Sequence, residues 1–445
     1  MWNHSLRRRA AAGLALAVVL TSSTAALAAP PSEPAPGAYT TNGTVSAIAH
    51  ASGRTYVGGD FTRVGPRSGA GVTLTANGAL SAFPVRAEVA GGEVRAVVSD
   101  GAGGWYIGGS FTWVGGQRRL ALARIRSDGT VDTTFAPAVA DIAGNPGEVN
   151  ALVLSRPGPD GARTLYVGGR FRQIRSGNDR TFHHNLAALD AGDGAERTFK
   201  VFIGGCQSSE PECSSAVRAL ALGYVALPVE GVSPDPPQPI LFVAGDFTRI
   251  GVDIDPYTVA GLAAVRGIGS VGPTNLKTSG QVVAHFPAGA DPVPVAWNPS
   301  PSSVYAMQAG EPAPPSASPT TSLVVYVGGQ NTEKTAPVAK ALQLQLNKSS
   351  HTATSTGVQF NSWRPAPVGC AGCAVRALAL DGQRVYFGGD FDRIGTGAGQ
   401  KPAGRLGKIA AIANAQDTSV SAAGEPLGPG VDGPVRALAW SAGRP

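Results

Sequence analysis

Short apolar runs recur along the chain, separated by Gly, Asp, Pro and polar positions. The first kind of run is small and apolar, with the pattern Val-x-Ala: Val45-Ser46-Ala47, Val94-Arg95-Ala96, Val149-Asn150-Ala151, Val217-Arg218-Ala219, Val304-Tyr305-Ala306, Val375-Arg376-Ala377 and Val435-Arg436-Ala437. The second kind follows a turn and carries a glycine pair. It reads Tyr56-Val57-Gly58-Gly59-Asp60-Phe61, Tyr106-Ile107-Gly108-Gly109-Ser110-Phe111 and Tyr166-Val167-Gly168-Gly169-Arg170-Phe171. It returns as Phe242-Val243-Ala244-Gly245-Asp246-Phe247, Tyr326-Val327-Gly328-Gly329-Gln330-Asn331 and Tyr386-Phe387-Gly388-Gly389-Asp390-Phe391. These runs are four to seven residues long, rich in β-branched and aromatic residues and bounded by turn formers, so they predict strands. No run of a dozen residues carries the 3.6-residue helical period.

A looser third run follows in several copies, as in Leu120–Ile125, Leu186–Leu189 and Leu262–Val265. Asn77-Gly78, Asp128-Gly129 and Asp193-Gly194 predict two-residue hairpins, whose central positions both need positive φ. A fourth strand is expected to follow, as over Val131 to Phe135. Each repeat therefore predicts three or four short antiparallel strands. The opening valines are spaced 49, 55, 68, 87, 71 and 60 residues apart. Four strands in such a period match one blade of a β-propeller, and the period is too long for one coil of a β-helix. The expected fold is all-β, with six complete four-stranded antiparallel blades plus the first strand of a seventh. The blades begin near 45, 94, 149, 217, 304 and 375, with an incomplete one from 435. The paired glycines predict a bulge or a close approach by another backbone or ring.

The Tyr-Val-Gly-Gly-Asp-Phe-Thr-Arg-Val segment at 56–64, echoed at 242–250 and 386–394, resembles the delta-60 repeat family of bacterial β-propellers. It is more distantly similar to kelch repeats, which carry a double glycine in the second strand. The resemblance covers nearly all of 40–445 and implies a secreted or surface-exposed propeller with no defined reaction. Two copies depart from it. Gln330-Asn331 replaces Asp-Phe in the fifth, and the seventh stops at Pro445 before its glycine pair. The expectation is a chain cut short within the seventh blade; the alternative is that six blades close and the last strand docks onto an edge.

Residues 1–28 read as a secretory signal: Arg7, Arg8 and Arg9, an apolar run from Ala10 to Leu20, and Ala26-Leu27-Ala28 as the cleavage site before Ala29. Residues 29–40 form a Pro-rich linker and 41–445 the repeats. No later segment has the length and purity of a membrane helix. The formal charge is +6; three of these charges sit on Arg7, Arg8 and Arg9 and no acid precedes Ala29, so the mature chain carries about +3. That is weak for nucleic acid, and no basic run or basic–aromatic stripe is present in the sequence. Charged residues are only 15%, while 60 glycines and 35 prolines exclude a coiled coil.

Export favours oxidised cysteines, so Cys206–Cys213 and Cys370–Cys373 are expected as local loop staples. A four-thiolate zinc site is the weaker reading, because the first pair has six intervening residues. The adjacent His183 and His184 would point to opposite strand faces, against a joint metal site. No nucleophile elbow, zinc-protease or phosphate-loop motif occurs. No metal or cofactor is expected. Asp60, Asp246 and Asp390 share one repeat position, and Arg95, Arg218, Arg376 and Arg436 share another. Their bland role is inter-strand ion pairing; their sharper role is a charged rim for an anionic ligand such as an acidic glycan. Asp253-Ile254-Asp255 is a weak calcium signal. The Pro-rich stretches 223–239 and 308–322 are expected as solvated loops. The expected function is a monomeric, non-catalytic scaffold or binding module for an extracellular protein or polysaccharide. The alternatives are an extracellular hydrolase or lyase with carboxylates at a channel mouth, and a structural spacer of a larger protein.

Overall fold

The computed structural model describes residues 39–41, 44–51, 54–60, 64–66, 89–158, 161–176, 179–199, 201–205, 215–226, 237–251, 257–258, 261–266, 282–285, 304–310, 320–330, 336–347, 352–359, 363–412, 422–427, 431 and 434–440. The Cys206–Cys213 pair, the 253–255 acidic cluster, Asn77-Gly78 and the signal segment lie outside them. The described part is all-β, with a single short 3-10 turn at Gly397–Gly399. No helix among the described residues is long and apolar enough to cross a membrane. The chain divides into two compact units, 1–67 and 68–445.

In the first unit Val45–Ala51 pairs with Arg54–Gly59, and Tyr39–Thr41 with Val64–Pro66. Tyr39 and Thr40, the last residues of the expected linker, are thus strand. In the second unit each repeat builds a main sheet in simple meander order. Val94–Ser99, Trp105–Gly109 and Leu122–Ile125 make three strands, as do Glu148–Leu154, Thr164–Arg170 and Leu186–Asp190. A fourth strand does not form in these two repeats. At its place stand single bridges, Ile125 to Val131 and Leu189 to Glu196. The later sheets have four: Ala216–Ala226, Pro237–Asp246, Leu262–Arg266 and Val282–His285; then Val304–Ala309, Thr320–Gln330, Pro337–Asn347 and Thr352–Gln359; then Val375–Leu380, Arg384–Gly389, Leu406–Ala410 and Glu425–Pro426.

Three expectations need correction. The Pro-rich stretches are not wholly loop: Gly223 pairs with Ile240 and Ala226 with Pro237, while Thr320 pairs with Asn347. The Asp-Gly turns are not two-residue hairpins. Gly129 alone of its pair has positive φ (81°), and its N–H closes on the Arg126 carbonyl at 2.9 Å. The Asp128 carboxylate accepts from the Thr130 N–H at 2.9 Å, which favours a longer loop built on an ordinary turn. The third correction is a second sheet in each of four repeats. Val89–Ala90, Trp113–Val114 and Gln117–Arg118 form one; Ala138–Ala140, Gln173–Ser176 and Asp179–Phe182 the next. Phe202–Gly204, Arg249–Gly251 and Tyr257–Thr258 form the third, and Pro367–Val368, Arg393–Ile394 and Lys401–Pro402 the fourth. Each ties the segment entering a repeat to the hairpin that follows its glycine motif.

The hydrophobic core lies between consecutive main sheets. Tyr166, Ala188 and Val153 of one sheet cluster with Val217, Leu220 and Val243 of the next. Phe242, Ala244 and Leu262 cluster with Val304, Leu323 and Val325, and Tyr326, Ala341 and Val324 with Val375, Leu378 and Phe387. The motif aromatics Tyr106, Tyr166, Tyr326, Phe111, Phe171, Phe247 and Phe391 are fully or almost fully buried. Each buries one of the largest apolar areas a side chain can offer.

The glycine pairs have two separate causes. In all six repeats the register slips at the second position of Val-x-Ala, so Ser46, Arg95, Asn150, Arg218, Tyr305 and Arg376 each occupy a β-bulge. The second glycine faces that bulge. A Cβ on Gly59, Gly109, Gly169, Gly245 or Gly389 would lie 1.9–2.2 Å from the carbonyl oxygen preceding the opening valine. The first glycine faces the next sheet. A Cβ on Gly108, Gly168, Gly328 or Gly388 would lie 2.4–2.7 Å from a methyl of Val149, Val217, Val375 or Val435. Gly329, the remaining second glycine, pairs with Val304. Gly58 pairs with Ala47.

Gly169→Ala is therefore expected to destabilise by about 3 kcal/mol or more, since backbone must move. Gly116→Ala, with open space but φ of 75°, should cost only about 1–2 kcal/mol. Urea unfolding of both variants measures the difference. Equal costs would show that the bulge carbonyl yields freely.

Candidate functional site

The six bulges place one side chain per repeat at a common position, beside the start of the main sheet. Two of the expected pairs form there. Arg218 Nε donates to Asp246 Oδ2 at 2.8 Å, and Arg376 Nε to Asp390 Oδ2 at 2.7 Å. Asp390 Oδ2 also accepts from the Ala374 N–H at 3.2 Å. The Asp position is not occupied by acid in the second repeat, where Ser110 stands. Arg95 instead pairs with Glu93 and with Glu148 of the next repeat, both at 2.9 Å. Arg436 pairs with Glu93 at 2.8 Å. Asp60 sits in the first unit, where the bulge residue is Ser46 rather than arginine, and it is exposed.

Asn150 and Tyr305 fill the same bulge position and were not singled out in the sequence. Arg95 Nη1 donates to Asn150 Oδ1 at 3.3 Å, and Asn150 Nδ2 donates to the Val217 carbonyl at 3.1 Å. The guanidinium carbons of Arg218 and Arg376 lie 5.5 and 4.9 Å from the Tyr305 ring centroid, in cation–π range. The signal for these residues was available: the variable letter of Val-x-Ala. Glu93 and Glu148 had none, because the repeat holds no acid there in other copies. Four arginines thus meet four carboxylates, and the cluster is balanced in charge.

Other sites are structural or small. Cys370 and Cys373 form a disulfide. His183 is buried and His184 exposed. Glu196 Oε1 lies 3.1 Å from His183 Nε2, but without the angle for a hydrogen bond. Burial holds the His183 imidazole below its ordinary range, and Glu196 opposes this only in part. Partial desolvation of the His184 ring and the charge of Arg172, whose Nη1 is 3.0 Å from its Nδ1, lower its pKa. Burial pushes the Tyr106 and Tyr326 phenols up to about 12. Both stay neutral, and Tyr106 donates to the Ala191 carbonyl at 2.5 Å. At the far ends of three opening strands a cavity of about 190 Å³ is lined by Leu154, Arg156, Leu222, Gly223, Tyr224, Ala309 and Gly310. Among the described residues no three His, Cys, Asp or Glu side chains gather as a metal site.

Residues 103–135 match the family model described as a domain of unknown function (DUF5122) beta-propeller. That stretch holds the glycine-motif strand of the second repeat and the main-sheet strand that follows it, so this part of the chain is similar to a β-propeller family. No curated protein matches the chain.

Two outcomes follow. Asp390→Ala should destabilise by roughly 1–3 kcal/mol, because Arg376 and the Ala374 amide lose their acceptor together. An unchanged midpoint in denaturant would mean that both groups find water instead. A lowered folded pKa for His183 and His184 means the unfolded chain binds more protons on acidification. Stability should therefore hold above the ordinary histidine pKa of about 6.5 and fall as pH drops below it. His183→Gln should flatten that fall, read by thermal melts from neutral to mildly acidic pH.

Proposed function

We propose that the chain is a secreted, non-catalytic β-propeller binding module for an extracellular protein or polysaccharide. The observation that carries this reading is the state of the four carboxylates in the bulge cluster. Asp246, Asp390, Glu93 and Glu148 are each held by an arginine. A general acid or nucleophile needs a carboxylate free to exchange a proton or attack, and these four are committed as acceptors. The rigid stacked sheets meanwhile carry short hairpins on one side, the usual arrangement for recognition on a scaffold.

The finer architecture belongs to the same proposal. The repeats are delta-60 (kelch-like) units of bacterial type, six in number; the segment 434–440, where the first strand of a seventh was expected, forms no strand. The Arg436–Glu93 pair repeats the Arg95–Glu148 relation, in which an arginine reaches the glutamate before another opening strand. This favours a closed arc of opening strands within 68–445.

Export and binding are tested together. The protein recovered from culture medium should begin at Ala29; a product retaining residues 1–28 would overturn export by signal cleavage. Incubated with a panel of extracellular polysaccharides and peptides, it should bind without releasing reducing ends or new amines. Steady turnover of any of them would overturn the non-catalytic reading.

A further inference from the structure

The accessory sheets bring together cations that are far apart in the sequence. The sheets of the second, third and fourth repeats are linked one to the next through residues just beyond their strands. The Val139 N–H of the third repeat donates to the Leu120 carbonyl of the second at 3.1 Å. His184 of the third stands 4.8 Å, ring to ring, from Phe202 of the fourth, and Asn185 Nδ2 donates to the Ile203 carbonyl at 3.5 Å. Arg118, Arg175, Arg180 and Arg249 lie on these strands, against a single aspartate, Asp179. Arg118, Arg180 and Arg249 are exposed.

Two features of this strip are unfavourable for the protein alone. Arg175 and Arg180 are direct cross-strand partners. Like charges directly opposite each other destabilise a pair of strands. Neither forms an ion pair with a carboxylate among the described residues. Large apolar side chains are also exposed beside them. Trp113 is 47% exposed and is the cross-strand partner of Arg118; Phe182 is 68% exposed and lies on the same strand as Arg180.

We infer that these three accessory hairpins form a binding strip for a carboxylated polysaccharide, with Arg118, Arg175, Arg180 and Arg249 taking the carboxylates and Trp113 and Phe182 the sugar faces. The inference rests on the extracellular binding reading above and names its ligand class. The guanidinium fork matches a carboxylate bidentately, and an anion between Arg175 and Arg180 relieves their repulsion. The aromatic rings supply flat apolar surface. Charge density selects the polymer. Duplex DNA carries one charge per roughly 1.7 Å of axis, whereas the strip offers one or two cations per hairpin. A polymer with no more than one carboxylate per sugar fits that sparser spacing better.

The test uses the full mature chain, immobilised polygalacturonate, neutral dextran and a random-sequence DNA duplex. At about 50 mM salt the chain should bind polygalacturonate, and about 0.5 M salt should abolish this. Arg175→Gln/Arg180→Gln should weaken binding about tenfold or more, with the melting temperature unchanged or raised. Trp113→Ala should weaken it severalfold. Equal retention on dextran, tighter retention on DNA, or full affinity in both variants would overturn the strip. Equal binding of dextran and polygalacturonate by the double variant, at the unmodified chain's strength, would do so while leaving the general binding-module reading intact. Release of reducing ends would overturn that general reading instead, and the strip would still stand or fall by the variants' affinities.

Discussion

One backbone irregularity organises the repeat. A bulge at the second residue of Val-x-Ala pushes a carbonyl into the space where the glycine motif passes, at 1.9–2.2 Å from where a Cβ would sit. Only glycine fits there. The neighbouring glycine answers a different demand, since the valine that opens the next repeat rests a methyl in the gap it leaves. The two glycines therefore join a requirement within one sheet to a requirement between two sheets. Where Ala244 replaces the first of them, the second, Gly245, is kept, because the bulge at Arg218 is kept.

From this constraint follow both the core and the polar cluster. Sheets held at close range bury small side chains on the opening strands and tyrosines and phenylalanines beside them, so each core belongs to two repeats. No repeat buries such a surface alone. The bulged residue leaves the alternation of the strand and is free to reach sideways. This is why Arg95 meets Glu148 of the following repeat and why Arg218 and Arg376 converge on Tyr305. Charge balance then makes the cluster a set of mutual partners, whereas the accessory hairpins carry arginines without carboxylate partners among the described residues.

The sequence by itself determined the repeat, its strands and the small, glycine-bearing face, because those depend on period-two patterning and on local steric demands. The equivalence of Asp246 with Asp390, and of Arg218 with Arg376, was readable for the same reason: one position in a repeat is one position in space. The tertiary structure alone decided the rest. Asn150 and Tyr305 share a role with the arginines only because a bulge aims them alike, and a letter code does not display a bulge. Glu93, two residues from its partner Arg95, also became a partner of Arg436 through a contact between segments over three hundred residues apart. The hairpins after the glycine motif had no strand reading in the sequence, yet each pairs with a strand entering the repeat from before the opening valine, a register that only the assembled chain sets. Arg118, Arg180 and Arg249 form no run along the sequence. They stand on one strip because consecutive repeats present the same hairpin at the same edge, and neighbours in space are not neighbours in the chain.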